Sequence, residues 1–242
     1  GSRRQPQKIE SFNESKFIGN TSRLGAAISF SGKIFKMDRC LITNNTATSN
    51  SIMSMSSDDS LLISNTIISG NLSQGNQIFS SGSFSLKGNI ICKLYNVTIC
   101  HNTTNPNSTF LATIDSYNEK AEIYNSIIYG NKPNASNKQV NSKINAFNSI
   151  IEGGSNGENV IDIDPLFVNP SNFISAPFDA SNFDYSLQER SPAINYGVNS
   201  YISQYQFDYL NNDRIQEDIV DCGAIESPYK QSVSVSTKDY TL

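Results

Sequence analysis

Residues 67–71 read Ile67-Ile68-Ser69-Gly70-Asn71, and close variants of this phrase occur six times along the 242-residue chain. The six phrases occupy residues 16–20, 41–45, 67–71, 98–102, 127–131 and 150–154. Their last residues are 25, 26, 31, 29 and 23 positions apart. A period in the twenties, with strand-forming residues and no helical periodicity, indicates a repeat architecture in which each repeat adds one coil.

Aligned on their last residues, the six repeats form columns of similar side chains. The residues three positions before the end are all large and apolar: Phe17, Ile42, Ile68, Ile99, Ile128 and Ile151. Those five before the end are small or β-branched: Ser15, Cys40, Thr66, Val97, Ser126 and Ser149. Those eight before the end are again apolar: Phe12, Met37, Ile63, Leu94, Ile123 and Ala146. The first two columns differ by the strand period of two, whereas the three-residue step to the third column requires a bend.

The predicted bend lies six positions before the end, where the later repeats carry Asn65, Asn96, Asn125 and Asn148. Asn adopts left-handed backbone angles more readily than other non-glycine residues, and its amide bonds to neighbouring groups. We expect these four residues to form an asparagine ladder, with each amide bonded to the coils above and below. The predicted fold is all-β: a single-stranded right-handed parallel β-helix of about six coils, stacked about 4.8 Å apart, with an irregular C-terminal cap.

The repeat ends near Gly154, after which aromatic residues, Asp and Pro become more frequent. We expect this capping region either to pack on the last coil or to fold back along the coils. The first coil begins near Ile9 and leaves no room for an N-terminal cap, so we expect the chain to be the C-terminal part of a longer protein. The predicted divisions are a tag and disordered lead over 1–8, coils over 9–154, a capping region over 155–226 and a polar tail over 227–242.

The composition argues against several classes of function. The net charge is −4, charged residues make up 17% of the chain, and no basic run exceeds Arg3-Arg4. We therefore expect no nucleic-acid partner. No apolar stretch approaches the roughly 18 residues that a membrane span requires. We expect a monomer that is secreted or located on the cell surface, without a spanning segment.

Histidine and cysteine limit the possible catalytic and metal chemistry. The single histidine, His101, lies in a turn column otherwise filled by Gly or Asn, which favours a structural role at an exposed turn. Any histidine-based triad would have to include it. Cys40 belongs to the small inward column, and Cys92 and Cys100 flank a strand corner. The cysteines are either buried thiols or include one disulfide between Cys92 and Cys100, and their spacing predicts no metal site.

The region after the repeats contains a series of short motifs. They are DPLF at 164–167, DYSL at 184–187, SPAINYG at 191–197, Asp208 to Arg214, and VDCGAIE at 220–226. This order resembles the C-terminal signature of bacterial surface proteins of the choice-of-anchor Q type, which are right-handed parallel β-helix repeat proteins. Residues 17–20 and 25–28 also resemble polymorphic outer-membrane protein repeats. The sequence departs from the family pattern at Asn211, Cys222 and Ile225, where Gly, Ile or Val, and an aromatic residue are usual.

The resemblance implies a surface location and identifies no catalytic residue. The charged residues of these motifs, Asp208, Arg214, Asp221 and Glu226, are interpreted as a structural ion network that holds the cap. A calcium site among the three acids is the alternative, because calcium takes carboxylate oxygens as ligands. Apart from that alternative, we predict no cofactor.

One outward column could bind a ligand. Seven positions before the end, the last three phrases carry Tyr95, Tyr124 and Phe147. Three stacked aromatic residues would form a flat platform suited to sugar rings or to an aromatic partner. The alternative is that the capping region lies across them.

An enzymatic function is the second hypothesis, because many parallel β-helix proteins are polysaccharide lyases or hydrolases. Such chemistry needs a base or paired carboxyls on one face of adjacent coils. The candidates are Asp115, Glu119 and Lys143, none of which clearly shares a column. We therefore favour a non-catalytic module that is adhesin-like, contacts a polysaccharide or host glycan, or forms a stalk.

Overall fold

The strands follow one another along the chain in the order that the repeats predict. A computed structural model describes residues 8–74, 78–82, 91–104, 114–116, 121–132, 139–171, 175–216 and 218–229. Two single-turn 3₁₀ helices, Ala180–Asn182 and Asn199–Tyr201, are the helical elements of these residues. The strands are β1 (Ile9–Asn13), β2 (Lys16–Ile18), β3 (Thr21–Ser22), β4 (Ile28–Asp38), β5 (Leu41–Thr43), β6 (Thr46–Ala47), β7 (Met53–Ser64), β8 (Ile67–Ser69), β9 (Leu72–Ser73), β10 (Phe79–Gly82), β11 (Ile91–Tyr95), β12 (Thr98–Cys100), β13 (Thr103–Thr104), β14 (Ile114–Ser116), β15 (Ala121–Tyr124), β16 (Ile127–Tyr129), β17 (Ile144–Ile151), β18 (Asn156–Ile161), β19 (Phe167–Asn169) and β20 (Asp184–Leu187).

Parallel pairing stacks these strands into the faces of a solenoid. The first face runs β1-β4-β7-β11-β15-β17, and the second runs β2-β5-β8-β12-β16 and ends on β17. The third face runs β3-β6-β9-β13, and β10 and β14 extend the N-terminal half of β7. The predicted all-β parallel solenoid is confirmed. It makes about four turns rather than the predicted six.

The pairing register confirms the predicted columns. Met37 pairs with Ile63 on the first face, and Ile42 pairs with Ile68 on the second. From the second repeat onward both apolar columns are fully buried: Met37, Ile63, Leu94, Ile123 and Ala146, and Ile42, Ile68, Ile99, Ile128 and Ile151. Burying one large apolar side chain contributes about 1.5–3 kcal/mol. These two columns therefore form the interior core of the solenoid.

Two corners with left-handed backbone angles shape each coil. The predicted bend is confirmed, since φ lies between 45° and 52° at Glu14, Arg39, Asn65, Asn96, Asn125 and Asn148. The second corner lies one position before the end of each phrase, with φ between 53° and 75° at Gly19, Asn44, Gly70, His101, Gly130 and Gly153. Left-handed angles favour Gly and Asn, which explains the composition of both columns. At Gly70 a Cβ would also lie 2.3 Å from the carbonyl oxygen of Phe178. Both the left-handed φ and this close approach therefore require glycine at this position.

A continuous asparagine ladder follows the second corner, at the last residue of each phrase. The backbone N–H and the amide of Asn20 both donate to Oδ1 of Asn45, at 2.9 and 3.0 Å. The same pair of bonds recurs at each later step, through Asn45, Asn71, Asn102 and Asn131. All four of these later asparagines are buried. The ladder therefore satisfies backbone donors that would otherwise be buried without an acceptor.

The ladder lies one corner later than the sequence placed it. At the first corner the asparagines of the described chain share one bond, from Asn125 Nδ2 to Asn96 Oδ1 at 3.5 Å. Their amides hold the C-terminal region instead. Asn96 donates to the carbonyl of Asp221, Asn125 to that of Val198, and Asn148 to that of Tyr196.

The small inward column explains this difference between the two corners. The backbone N–H of Cys40 donates to Oγ1 of Thr66 at 3.2 Å. Likewise, the N–H of Val97 donates to Oγ of Ser126, and the N–H of Ser126 donates to Oγ of Ser149. These side chains already satisfy the backbone donors at the first corner. The asparagine amides there are consequently available to bind another part of the chain.

The C-terminal region folds back along the second face, which is the second of the two predicted arrangements. Outward-facing residues of that face, including Leu41, Ile67 and Ile127, pack against the C-terminal region in a second apolar cluster. β19 and β20 pair antiparallel within this region, and Thr43 Oγ1 donates to the carbonyl of Phe178 at 3.0 Å. The stack itself continues through β18, which pairs with β17, so the coils extend to residue 161 rather than 154.

Several further expectations concern cysteine chemistry and the chain ends. All four cysteines lie within the described residues, where each is a buried thiol outside any disulfide. Residues 1–7 of the predicted lead and 230–242 of the predicted tail lie outside the described residues. Among the described residues no helix is long and apolar enough to cross a membrane.

The ladder generates a prediction about stability. Truncating Asn71→Ala leaves the buried backbone N–H of Asn45 without its acceptor and removes the bonds that the Asn71 amide donates to buried carbonyls, so we expect the free energy of unfolding to fall by about 3 kcal/mol. The control is Asn20→Ala, at the exposed end of the ladder, where water replaces the lost groups and the expected change is below about 1 kcal/mol. Urea denaturation measures both variants. Equal losses would show that the buried ladder does not stabilise the coils.

Candidate functional site

An aromatic stack crosses three coils on the outer side of the first face. Tyr95, Tyr124 and Phe147 pair in register, and neighbouring ring centroids are 5.1 Å apart. Neighbouring rings lie within 12° and 16° of parallel. All three side chains are half-buried. The structure therefore brings together the three residues that the sequence selected for ligand binding.

The stack differs from the predicted flat platform. Because the rings stack on one another along the solenoid axis, each ring covers a face of its neighbour and directs an edge outward. The C-terminal region also packs against these rings, with Tyr201 4.6 Å from Tyr124 and Tyr205 5.7 Å from Tyr95. The two predicted alternatives, a binding strip and a covered surface, each describe part of this arrangement. The stack ends at Tyr95, whose next register neighbour is Ser64, and at Phe147, whose next register neighbour is Glu158.

A cleft of about 420 Å³ lies at the Tyr95 end of the stack. The column continues from Tyr95 to Ser64, Asp38 and Asn13, whose side chains are much smaller than a phenol. Tyr95 lines this cleft together with Tyr205, whose ring centroid lies 5.7 Å from that of Tyr95. The remaining lining residues are Ser11, Phe12, Lys36, Met37 and Leu62 of the solenoid and Gln204 of the C-terminal region.

The polar groups of the cleft are held in place by hydrogen bonds. Oδ1 of Asp38 accepts from Ser64 Oγ at 2.6 Å and from Asn65 Nδ2 at 2.9 Å, and Oδ2 accepts from Arg39 Nε at 3.0 Å. The Arg39 guanidinium therefore compensates the charge of Asp38. Burial raises the pKa of Tyr205, which also bonds to Ser64, so its phenol stays neutral at physiological pH. Preorganised groups of this kind suit a ligand rich in hydroxyls.

A charged cluster that sequence reasoning missed lies beside the stack. Lys93 pairs in register with Glu122, and their Nζ and Oε2 atoms are 3.0 Å apart. The Tyr124 hydroxyl donates to the same Oε2 at 2.8 Å, and Lys93 Nζ lies 5.5 Å from the centre of the Tyr124 ring. The signal was present in the alignment, since Lys93 and Glu122 each lie two residues before a stacked tyrosine.

The pKa shifts of this cluster hold its groups in their ordinary protonation states. Partial burial is the largest single effect and opposes ionisation of Lys93 and Glu122. Their mutual hydrogen bond and attraction, together with the contributions of Tyr95 to Lys93 and of Tyr124 to Glu122, outweigh it, so the pKa of Lys93 is raised and that of Glu122 is lowered. Burial and the neighbouring Glu122 raise the pKa of Tyr124. A general base works best with a pKa near the operating pH, and all three shifts lead away from neutrality. The cluster therefore orients the Tyr124 side chain and keeps its phenol neutral.

The residues of the enzymatic hypothesis are not gathered into a site in the described part of the chain. Asp115 lies on β14, which pairs with β10, but its side chain lies outside the described residues. Glu119 also lies outside them. Lys143 is exposed in the turn before β17. Among the described residues, no register pair joins Asp115 to Lys143.

Four charged residues of the C-terminal region form one buried network. Asp208, Arg214, Asp221 and Glu226 are each at most 3% exposed. Arg214 forms an ion pair with Glu226, and Oδ2 of Asp208 accepts the backbone N–H of Glu226 at 3.0 Å. The further backbone partners of the four side chains are Asn195, Leu210, Asn212, Gly223, Ala224 and Ser227.

The network supports the structural interpretation over a calcium site. Its carboxylates are already engaged by Arg214 and by backbone N–H groups. Among the described residues no group of three or more His, Cys, Asp or Glu side chains is arranged to hold a metal ion. Nη1 of Arg214 also lies 3.4 Å from Asn65 Oδ1, which connects the network to the solenoid. The network thus fastens the element that carries Tyr201 and Tyr205.

His101 is half-buried at the second corner rather than exposed. Its ring lies 6.0 Å from Tyr185 and covers Gly130, where a Cβ would come within 2.9 Å of the imidazole. Burial lowers the pKa of His101 to about 4, so the ring is neutral at physiological pH. Its buried Nδ1 has no hydrogen-bond partner among the described residues. These features favour packing over acid–base catalysis.

Comparison with known proteins identifies no family for this sequence. No protein-family model matches this sequence, and no curated protein matches it. Solenoids of this kind carry unrelated functions, so the chemistry of the site, rather than the fold, indicates what this protein does.

The buried network generates a prediction about pH. Burial, opposed by Arg214, raises the pKa of Asp221 from 3.8 to about 6 and that of Glu226 from 4.5 to about 7. The folded state therefore holds these protons more tightly than the unfolded chain. The resulting stabilisation is complete below about pH 4 and is lost as the pH rises to about 7. We expect the wild type to lose more stability between about pH 5 and about pH 8 than Glu226→Gln, in which this site cannot titrate.

The measurement is the free energy of unfolding at several pH values for each protein. Glu158→Gln removes an exposed carboxylate on β18 and should keep the wild-type pH slope. If the wild type instead gains stability relative to Glu226→Gln as the pH rises, attraction to Arg214 outweighs burial and the prediction is wrong.

Proposed function

We propose that this chain is a non-catalytic glycan-binding module whose site is the cleft at the Tyr95 end of the aromatic stack. The observation that carries the proposal is the position of Tyr95, which lines the cleft at the point where the next side chain of its column is the much smaller Ser64. An aromatic face binds the apolar C–H face of a pyranose ring. The hydroxyls and amides around it can then bond to the sugar's hydroxyl groups.

The dimensions and chemistry of the cleft support this proposal. Its volume of about 420 Å³ lies within the usual range of ligand sites, roughly 300–1,000 Å³. Leu62 and Phe12 supply apolar surface, whereas Ser64 and Gln204 supply polar groups. The carboxylate of Asp38 is compensated by Arg39, so it acts as a hydrogen-bond acceptor.

We further propose that the module is displayed on a bacterial surface or secreted, in an adhesin-like role. The support is the resemblance of its C-terminal motifs to choice-of-anchor Q proteins, together with the solenoid fold. A solenoid held in register by a buried ladder is also suited to act as a stiff support for its own cleft.

Removing the ring face tests the binding proposal. We expect Tyr95→Leu to weaken binding of the best ligand from a glycan array by about tenfold, the contribution of one aromatic stacking contact. Isothermal titration calorimetry with that ligand measures the effect. The matched control is Phe147→Leu, at the opposite end of the same stack, which should retain wild-type affinity.

The outcomes of this test are distinguishable from loss of folding. Circular dichroism of both variants should show the β signature of the wild type. Equal affinity of Tyr95→Leu and the wild type would place the site elsewhere, and an array without any bound glycan would refute the proposal.

A second candidate, a polysaccharide lyase, rests on the cluster of Lys93, Glu122 and Tyr124 on adjacent coils. Lyases use a base and a charge-neutralising group of these types. The pKa directions described above oppose such a role, and we expect no unsaturated product from polygalacturonate, alginate or glycosaminoglycans in an ultraviolet absorbance assay. Product that disappears in Lys93→Met would replace the binding proposal with catalysis.

A further inference from the structure

The cleft contains one lysine whose ammonium group takes part in no ion pair among the described residues. Lys36 and Asp38 are its charged lining residues. Asp38 is paired at 3.0 Å with Arg39, which also pairs with Glu14, whereas Lys36 takes part in none of the ion pairs of the described residues. The register neighbours of Lys36 are Ser11 and Leu62, both uncharged. An ammonium group is therefore exposed to whatever occupies the cleft.

The neighbouring lysine of the same column is in a different situation. Two rungs along, Lys93 follows Leu62 in register, but its charge is matched by Glu122. In this column, therefore, Lys93 beside the stack is ion-paired, whereas Lys36 in the cleft is not. Lys36, rather than Lys93, is therefore the group available to recognise a charged ligand.

The spacing of the groups fits a short saccharide. Lys36 lies on β4 and Tyr95 on β11, with β7 between them. Two rungs of about 4.8 Å separate these strands by about 10 Å. A ligand that stacks one ring on Tyr95 therefore reaches Lys36 with a substituent of the next sugar, across the apolar surface of Leu62.

We infer that the glycan bound in this cleft carries a negatively charged group, a carboxylate or a sulfate, which pairs with Lys36. This inference rests on the proposed glycan-binding function and specifies its ligand class. Neither source of the charge is preferred by the geometry, because an ammonium group binds both as a point charge.

The experiment compares matched oligosaccharides by calorimetry. The probes are tetragalacturonate, its fully methyl-esterified form, and a carrageenan tetrasaccharide as the sulfated arm. We expect at least one of the two acidic probes to bind more tightly than the ester, and Lys36→Gln to weaken that binding about fivefold. Raising the salt concentration should reduce the wild-type affinity for the acidic probe and leave the affinity for the ester unchanged.

Control variants and probes distinguish failure of this inference from failure of the proposed glycan-binding function. Lys33→Gln removes the same charge from the same strand but lies outside the cleft lining, and it should bind as the wild type does. Equal affinity for acidic and esterified probes, lost in Tyr95→Leu but not in Lys36→Gln, would overturn the charge assignment and leave glycan binding intact. Failure of all three probes and of every glycan on the array would overturn both.

Discussion

The buried asparagine ladder at the second corner is the interaction on which the rest of the structure depends. Asn71 accepts the backbone N–H and the amide of Asn45, so a slip of one residue would leave buried donors unpaired. A fixed register aligns every column of the solenoid. It therefore places Ser64 next to Tyr95, and the cleft begins where the ring column gives way to a hydroxyl.

The second determinant of the site is the direction taken by the C-terminal region. Because it folds back along the second face, Gln204 and Tyr205 reach the first face and complete the cleft. The asparagines of the first corner hold this region through their amides, and the Arg214 network fastens it from within. The second face is thereby buried on both sides, which explains the doubled isoleucines of the phrases.

The charged residues fall into two groups, those buried in the network of the C-terminal region and those on the outer face of the coils. The network around Arg214 and Glu226 is almost completely buried, where desolvation dominates the titration of its acids. On the outer face, Asp38 and Lys93 are each matched by a partner. Lys36 is the exception among the charges around the cleft, and for this reason we expect the proposed glycan site to favour anionic ligands.

The sequence by itself determined the solenoid, its inward columns and its left-handed corners, because these depend on spacing along one repeat. Leu41, Ile67 and Ile127, four positions before the phrase ends, form an outward column whose apolar cover became apparent only in the tertiary structure. The corner that holds the ladder depends on which backbone donors the next coil already satisfies. The cleft depends on Tyr205 meeting Tyr95 across 110 positions of chain. Only the tertiary structure decided these two features, because the groups involved become neighbours only on folding.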